Sequence, residues 1–127
     1  MDSIEEAKVV VRSHEEYSAA GNVDGVVSNM AEDVVLLAPD APLVVGREGV
    51  RVFYEGLFSM GDTEFYHDYA GAEEIGDTVI LHGIARGSMT PPGSEPVPLA
   101  NNFILTLKRD ESGTFQFWRG AFAGSGS

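Results

Sequence analysis

The segment from Gly21 to Phe58, GNVDGVVSNMAEDVVLLAPDAPLVVGREGVRVFYEGLF, constrains this chain more than any other. Gly21-Asn22 stops a preceding helix, because glycine readily takes the left-handed conformation that ends one. Val23 to Met30 then predicts a short second helix, with Val23, Val26, Val27 and Met30 on one side. Val34 to Ala38 predicts an apolar strand. Pro39-Asp40-Ala41-Pro42 closes it, because proline cannot donate to a sheet ladder. Gly46 precedes a third helix whose inner face carries Val50, Phe53, Tyr54 and Leu57, and Gly61 ends it.

The flanking sequence extends this pattern. Ser3 and Glu6 have the spacing of a helix-opening capping box. Behind them Ile4, Ala7, Val11, His14 and Ser18 recur as one helical stripe. After Gly61 the chain reads as strands: Thr63 to Glu74, Thr78 to Met89, Pro98 to Lys108 and Thr114 to Ala123. The turn signals between them are Gly76-Asp77, the loop from Thr90 to Pro96 with its three prolines, and Asp110-Glu111-Ser112-Gly113. Helices first and consecutive antiparallel strands later predict an α+β fold in one domain, residues 1–123. Residues 124–127, Gly-Ser-Gly-Ser, read as a flexible tail.

Charge narrows the function. A net charge of −12 repels phosphate backbones and anionic membrane surfaces, so neither nucleic acid nor membrane is an expected partner. No apolar run reaches the roughly 20 residues that span a bilayer. The acidic start MDSIEEAK lacks the features of a signal peptide, so a cytoplasmic protein is expected. Cysteine is absent, which removes thiolate ligands and nucleophiles. The three histidines have no metal-binding spacing, and no glycine-rich phosphate cradle occurs, so neither metal nor cofactor is expected.

Three segments together, AGNVDGVVSNMAEDVVLLAP (Ala20 to Pro39), VVGREGVRVFYEGL (Val44 to Leu57) and GTFQFWRGAF (Gly113 to Phe122), resemble the nuclear-transport-factor-2-like superfamily. The similarity is to its SnoaL-like and ketosteroid-isomerase-like branch and runs from Glu6 to Ala123. It implies a cone-shaped, curved mixed or antiparallel β-sheet wrapped around three helices. It further implies an open end that admits a small apolar molecule, and a homodimer through the outer sheet face. The activity implied is a cofactor-independent acid–base enzyme of isomerase, cyclase or dehydratase type, acting on an apolar carbonyl or hydroxyl metabolite. The alternative is a non-catalytic ligand-binding or dimerisation domain of the same fold.

Carried over by the shared Gly and Pro landmarks, the family's first-helix tyrosine falls on His14. The isomerase base falls on Ala38, which cannot move a proton. A supporting tyrosine falls on Tyr54, and a protonated aspartate falls near Asn101. Apolar wall positions fall on Phe103, Trp118 and Phe122. The resemblance therefore implies a catalytic set of His14, Tyr54 and Asn101, with Ala38, Phe103, Trp118 and Phe122 in the pocket; Tyr17, one helical turn from His14, Phe53 on the inner face of the third helix, and His67 and Tyr69 complete the expected lining. The residues themselves leave two roles open for each of the first three. They can be acid–base groups, or they can be core and strand-end groups with satisfied hydrogen bonds. Strand alternation puts Phe65, His67 and Tyr69 on one face, expected inward. His82 and Arg86 share a face expected outward.

Overall fold

A computed structural model describes residues 1–124 of the chain. Three helices precede and interrupt a six-stranded mixed sheet: α1 (Ser3–Ala19), α2 (Val23–Ser28), β1 (Met30–Leu37), β2 (Val44–Val45), α3 (Gly46–Met60), β3 (Asp62–Ile75), β4 (Thr78–Thr90), β5 (Val97–Arg109) and β6 (Phe115–Gly124). The sheet order is β2-β1-β6-β5-β4-β3. All pairings are antiparallel except β1 with β6, which is parallel. The predicted α+β cone is the observed architecture.

Local chemistry sets the element ends. The side chain of Asp2, not Ser3, caps α1 by accepting from the Glu5 N–H at 2.8 Å. Asn22 caps α2 in the same way through the Gly25 N–H. Helix α2 stops at Ser28, so Met30 opens β1 instead of closing the helix. Strand β2 was not anticipated; two residues are too few to leave a periodic signal.

The core lies between the helices and the concave face of the sheet. Ala7 and Val11 of α1, Val26 of α2 and Val50 of α3 are fully buried against Val79, Leu81, Leu105, Leu107, Phe115 and Phe117. Gly83 and Gly87 share the inner face of β4 with buried Leu81 and Ala85. A Cβ at either position would collide with backbone of β3, at Asp68 O and Glu64 O respectively. Their bare backbones let the β3–β4 hairpin curl tightly there.

Three register shifts adjust the strands, one of them in β1 between Met30 and Val35. In β3 the pairing shifts between Tyr69 and Gly71. In β6 it shifts between Thr106–Arg119 and Leu107–Phe117, so Trp118 is the extra residue. That extra residue corrects one expectation. Counting back by twos from Phe122 puts Trp118 inside, but the bulge reverses the phase. Trp118 lies outside, its indole N–H donating to Asp33 at 3.2 Å, with Lys108 and Arg119 over its ring.

The two ends of the cone differ. At one end Arg109 fastens β5 to α1, donating to Glu6 at 2.8 Å and to the Ser3 hydroxyl at 3.0 Å. At the other end lie the start of β3, the end of β4, the start of β5 and the ends of β6 and β1. The functional candidates gather at that second end.

Candidate functional site

A cavity of about 210 Å3 opens between α1, α3 and the sheet. Phe53, Leu57, Phe65, Leu99 and Phe122 supply its apolar walls, with Ala38 and Pro39 from the end of β1 and the loop after it. Its polar lining is His14 and Ser18 from α1, Tyr54 from α3, His67 from β3 and Asn101 from β5.

The sheet positions two of these groups through register. His67 pairs with Ala85, and Ala85 pairs with Asn101. The three form one row across β3, β4 and β5. Strands lie about 4.8 Å apart, so the backbones of His67 and Asn101 stand about 10 Å apart. Only a methyl group rises between them, and this row bounds the cavity on the sheet side.

Helix α1 supplies partners in two directions, because adjacent residues on a helix point about 100° apart. His14 meets α3, where its Nε2 lies 3.1 Å from the Tyr54 hydroxyl. Its ring also packs against Phe117, with centroids 5.1 Å apart. Glu15 meets β3, where one carboxylate oxygen accepts both from the His67 backbone N–H at 2.9 Å and from His67 Nδ1 at 2.7 Å. Both side chains of this second pair are largely shielded, at 6% and 19% exposure for His67 and Glu15. The carboxylate fixes the proton on Nδ1 and leaves Nε2 as the imidazole's other nitrogen.

Burial separates the two histidine environments. Removal from water, reinforced by the nearby His67, lowers the His14 pKa from 6.5 to about 3. Burial likewise pushes the Tyr54 hydroxyl well above the ordinary phenol range. Both groups therefore stay neutral across physiological pH. His14 Nδ1 and Ser18 Oγ are buried without a hydrogen-bond partner among the described residues.

Of the residues expected at a site, His14, Ala38, Phe53, Tyr54, His67, Asn101 and Phe122 line this one cavity. Phe103 lies behind it, fully packed against the rings of His67 and Tyr69 at 4.9 and 6.0 Å. Tyr69 sits deeper along β3 beneath Lys8, whose ammonium is 4.6 Å from the ring. Tyr17 is placed elsewhere: its ring lies over Gly25 of α2, where a Cβ would not fit. Trp118 is on the outer face, for the reason given above. Glu15 was missed, because a glutamate on an exposed-looking turn of α1 carries no local mark of a partner on β3. Only its place one residue after His14, once α1 is set against the sheet, turns it toward β3. Ser18 was read only as part of the helical stripe. His82 and Arg86 lie on the outer face as expected, both exposed, with Arg86 donating to Asp68 at 3.0 Å.

A curved mixed sheet folded over three helices, with a partly polar cavity of small-molecule size at its wide end, defines an α+β cone with an internal pocket. The family model described as a SnoaL-like domain matches residues 10–114, and the chain belongs to that family. Solved structures agree on the fold. A ketosteroid isomerase-like protein from Erwinia carotovora atroseptica superposes with a TM-score of 0.87 at 15% identity, covering 99% of this chain and 98% of that one. An NTF2-like superfamily protein from Salmonella enterica serovar Typhimurium gives 0.84 at 6% identity, covering 97% and 91%. An NTF2-like protein with a cystatin-like fold from Novosphingobium aromaticivorans gives 0.76 at 16%, covering 97% and 82%. No curated protein matches the chain in sequence. No helix of the described residues is long and apolar enough to cross a membrane.

Proposed function

We propose that this protein is a cofactor-free acid–base enzyme acting on a small apolar carbonyl or hydroxyl compound. One observation carries the reading: His67, held from behind by the Glu15 carboxylate, lines the same cavity as the neutral pair His14–Tyr54. The first is built to take a proton. The second is built to hold an oxygen.

The roles follow from the tautomers. Glu15 keeps the proton of His67 on Nδ1, so Nε2 presents a lone pair to a substrate C–H. For His14, two arrangements of the bond to Tyr54 compete. If Tyr54 donates to Nε2, the buried Nδ1 carries an orphaned N–H. If Nε2–H donates to Tyr54, Nδ1 carries only a bare lone pair, and the phenol O–H is free to donate onward. Orphaned N–H groups are the rarer and costlier fault, which favours the second. Tyr54 then polarises the substrate oxygen and His14 positions it. With a pKa near 3, His14 is a poor proton carrier at neutral pH. Asn101 supplies a second donor from the sheet.

In such a step His67 Nε2 removes a proton α to the carbonyl. The C–H electron pair becomes the C=C bond, and the carbonyl π pair moves onto the oxygen held by Tyr54 and Asn101. Isomerisation, cyclisation and dehydration all can begin this way. The direct test is α-proton exchange of cyclohexanone in D2O, followed by proton NMR. Wild type should accelerate exchange, and His67→Gln should lose at least about a hundredfold of that acceleration. Equal rates in the two proteins would remove His67 from the chemistry.

Ala38 favours a second reading, a binding domain without turnover, because the usual base position is empty of chemistry. Saturable ligand binding with background exchange would select it. We also take the protein to pair with a second copy through the outer sheet face. There Leu37, Ala121, Ile104 and His82 form one row across four strands, and Leu37 and Ile104 are about half exposed. Equilibrium sedimentation of wild type and Ile104→Glu tests that pairing. A cysteine-free chain suits a reducing, cytoplasmic setting.

A further inference from the structure

We infer that the cavity selects an uncharged molecule of single-ring size carrying at least one oxygen. The inference deepens the acid–base reading and rests on it for the oxygen.

Size is the first argument. An apolar protein cavity of about 150 Å3 accepts one benzene molecule. The cavity here measures about 210 Å3. Scaling by volume gives room for about eight or nine non-hydrogen atoms, a six-membered ring with one or two small substituents. A fused four-ring skeleton far exceeds this. The walls leave little slack, since Phe53, Phe65 and Phe122 are large and rigid and Tyr54 is held by both His14 and the flanking rings of Phe53 and Phe58.

Charge is the second. Among the described residues no lysine or arginine lines the cavity, so an anionic ligand would meet no countercharge from its lining. It would instead approach the Glu15 carboxylate behind His67, inside a chain of net charge −12. Transfer of an unpaired anion into such a site is strongly opposed by desolvation. A cation fares no better. Among the described residues no carboxylate lines the cavity, and Glu15, behind His67, already accepts two hydrogen bonds from it and is mostly shielded. A neutral ligand loses none of these terms.

Polarity is the third. The lining offers donors at Tyr54 and Asn101 on different elements and an acceptor at His67, with rings between. That arrangement complements one oxygen on an otherwise apolar body.

The test uses the full chain and three ligands sharing one ring, with a larger ketone as competitor. Cyclohexanone, cyclohexanecarboxylate and cyclohexylammonium are titrated at neutral pH by ligand-observed NMR, and a four-ring steroid ketone is added to the cyclohexanone complex. Cyclohexanone should saturate with a Kd at least tenfold below those of the two ions, and the steroid should not displace it. The inference is overturned if either ion binds within about threefold of the ketone, if the steroid competes, or if cyclohexanone fails to saturate. The D2O exchange experiment separates the two ideas. Selective binding without exchange removes the acid–base reading and leaves the ligand class standing. Exchange that runs equally well on a charged or four-ring ketone does the reverse.

Discussion

His67 and Asn101 face the cavity from strands that are not neighbours, with only Ala85 between them in the row. The small residue in the middle strand is what opens space above the sheet. The larger residues on either side are what give that space a polar rim. The site is therefore a consequence of register, and a one-residue slip of β3 or β5 would turn one of its groups to the outer face.

The carboxylate behind His67 can be probed without touching the cavity wall. Glu15→Gln keeps the shape of the side chain and removes its charge. Exchange catalysed by the protein should fall by about tenfold to a hundredfold, in line with other orienting partners of imidazoles. Ligand affinity, measured by the same NMR titration, should change by less than about twofold, because Glu15 does not line the cavity. Affinity and rate falling together would make Glu15 a support for the fold and not for the base.

Acid should destabilise the protein partly through His14. The unfolded chain takes up this proton near pH 6.5, the folded chain only near about 3. Between those values the unfolded state binds more protons, so the stabilisation is present above pH 6.5 and is lost as pH falls toward 3. His14→Gln removes the titrating group and can still bond to Tyr54. Urea unfolding of both proteins at pH 6.5 and pH 5 should show wild type losing about 1.5 kcal/mol more than the variant. Parallel losses would mean that His14 is not buried as the neutral form.

Filling the row should close the site. Ala85→Leu adds three carbons on the inner face, where the cavity provides the room. Cyclohexanone binding should disappear, while the thermal midpoint by circular dichroism moves by less than about 5 °C. Undiminished binding would locate the ligand elsewhere on the molecule.

Much of this was written in the sequence. The glycine and proline landmarks around Gly21, Pro39, Gly46 and Gly61 place the helices and first strand to within a few residues. Period-two alternation assigns the inner face of β3, which is why His67 could be named, while Asn101 was reached through the family resemblance. What escaped were features set by tertiary contact. The bulge at Trp118 breaks the alternation of β6 with no Gly or Pro to mark it, so the indole was expected on the wrong side. Tyr17 was expected near His14 because three residues on a helix share a face, yet the bare backbone of Gly25 drew its ring to α2 instead. Glu15 gained its partner from a strand more than fifty residues away, and no local pattern records that pairing.

The polar groups of the cavity all sit on α1, α3, β3 and β5, elements held by buried contacts and ladder hydrogen bonds. Pro39 belongs instead to the loop between β1 and β2, and Leu99 lies two residues from the proline-rich stretch before β5. Chain that contributes only apolar groups to the lining thus frames one side of the chamber. Those segments can be lengthened, shortened or resequenced to admit other molecules while the base and the oxygen-holding pair stay in place. A library confined to residues 39–43 and 91–99 is the economical starting point for redirecting this scaffold to new substrates.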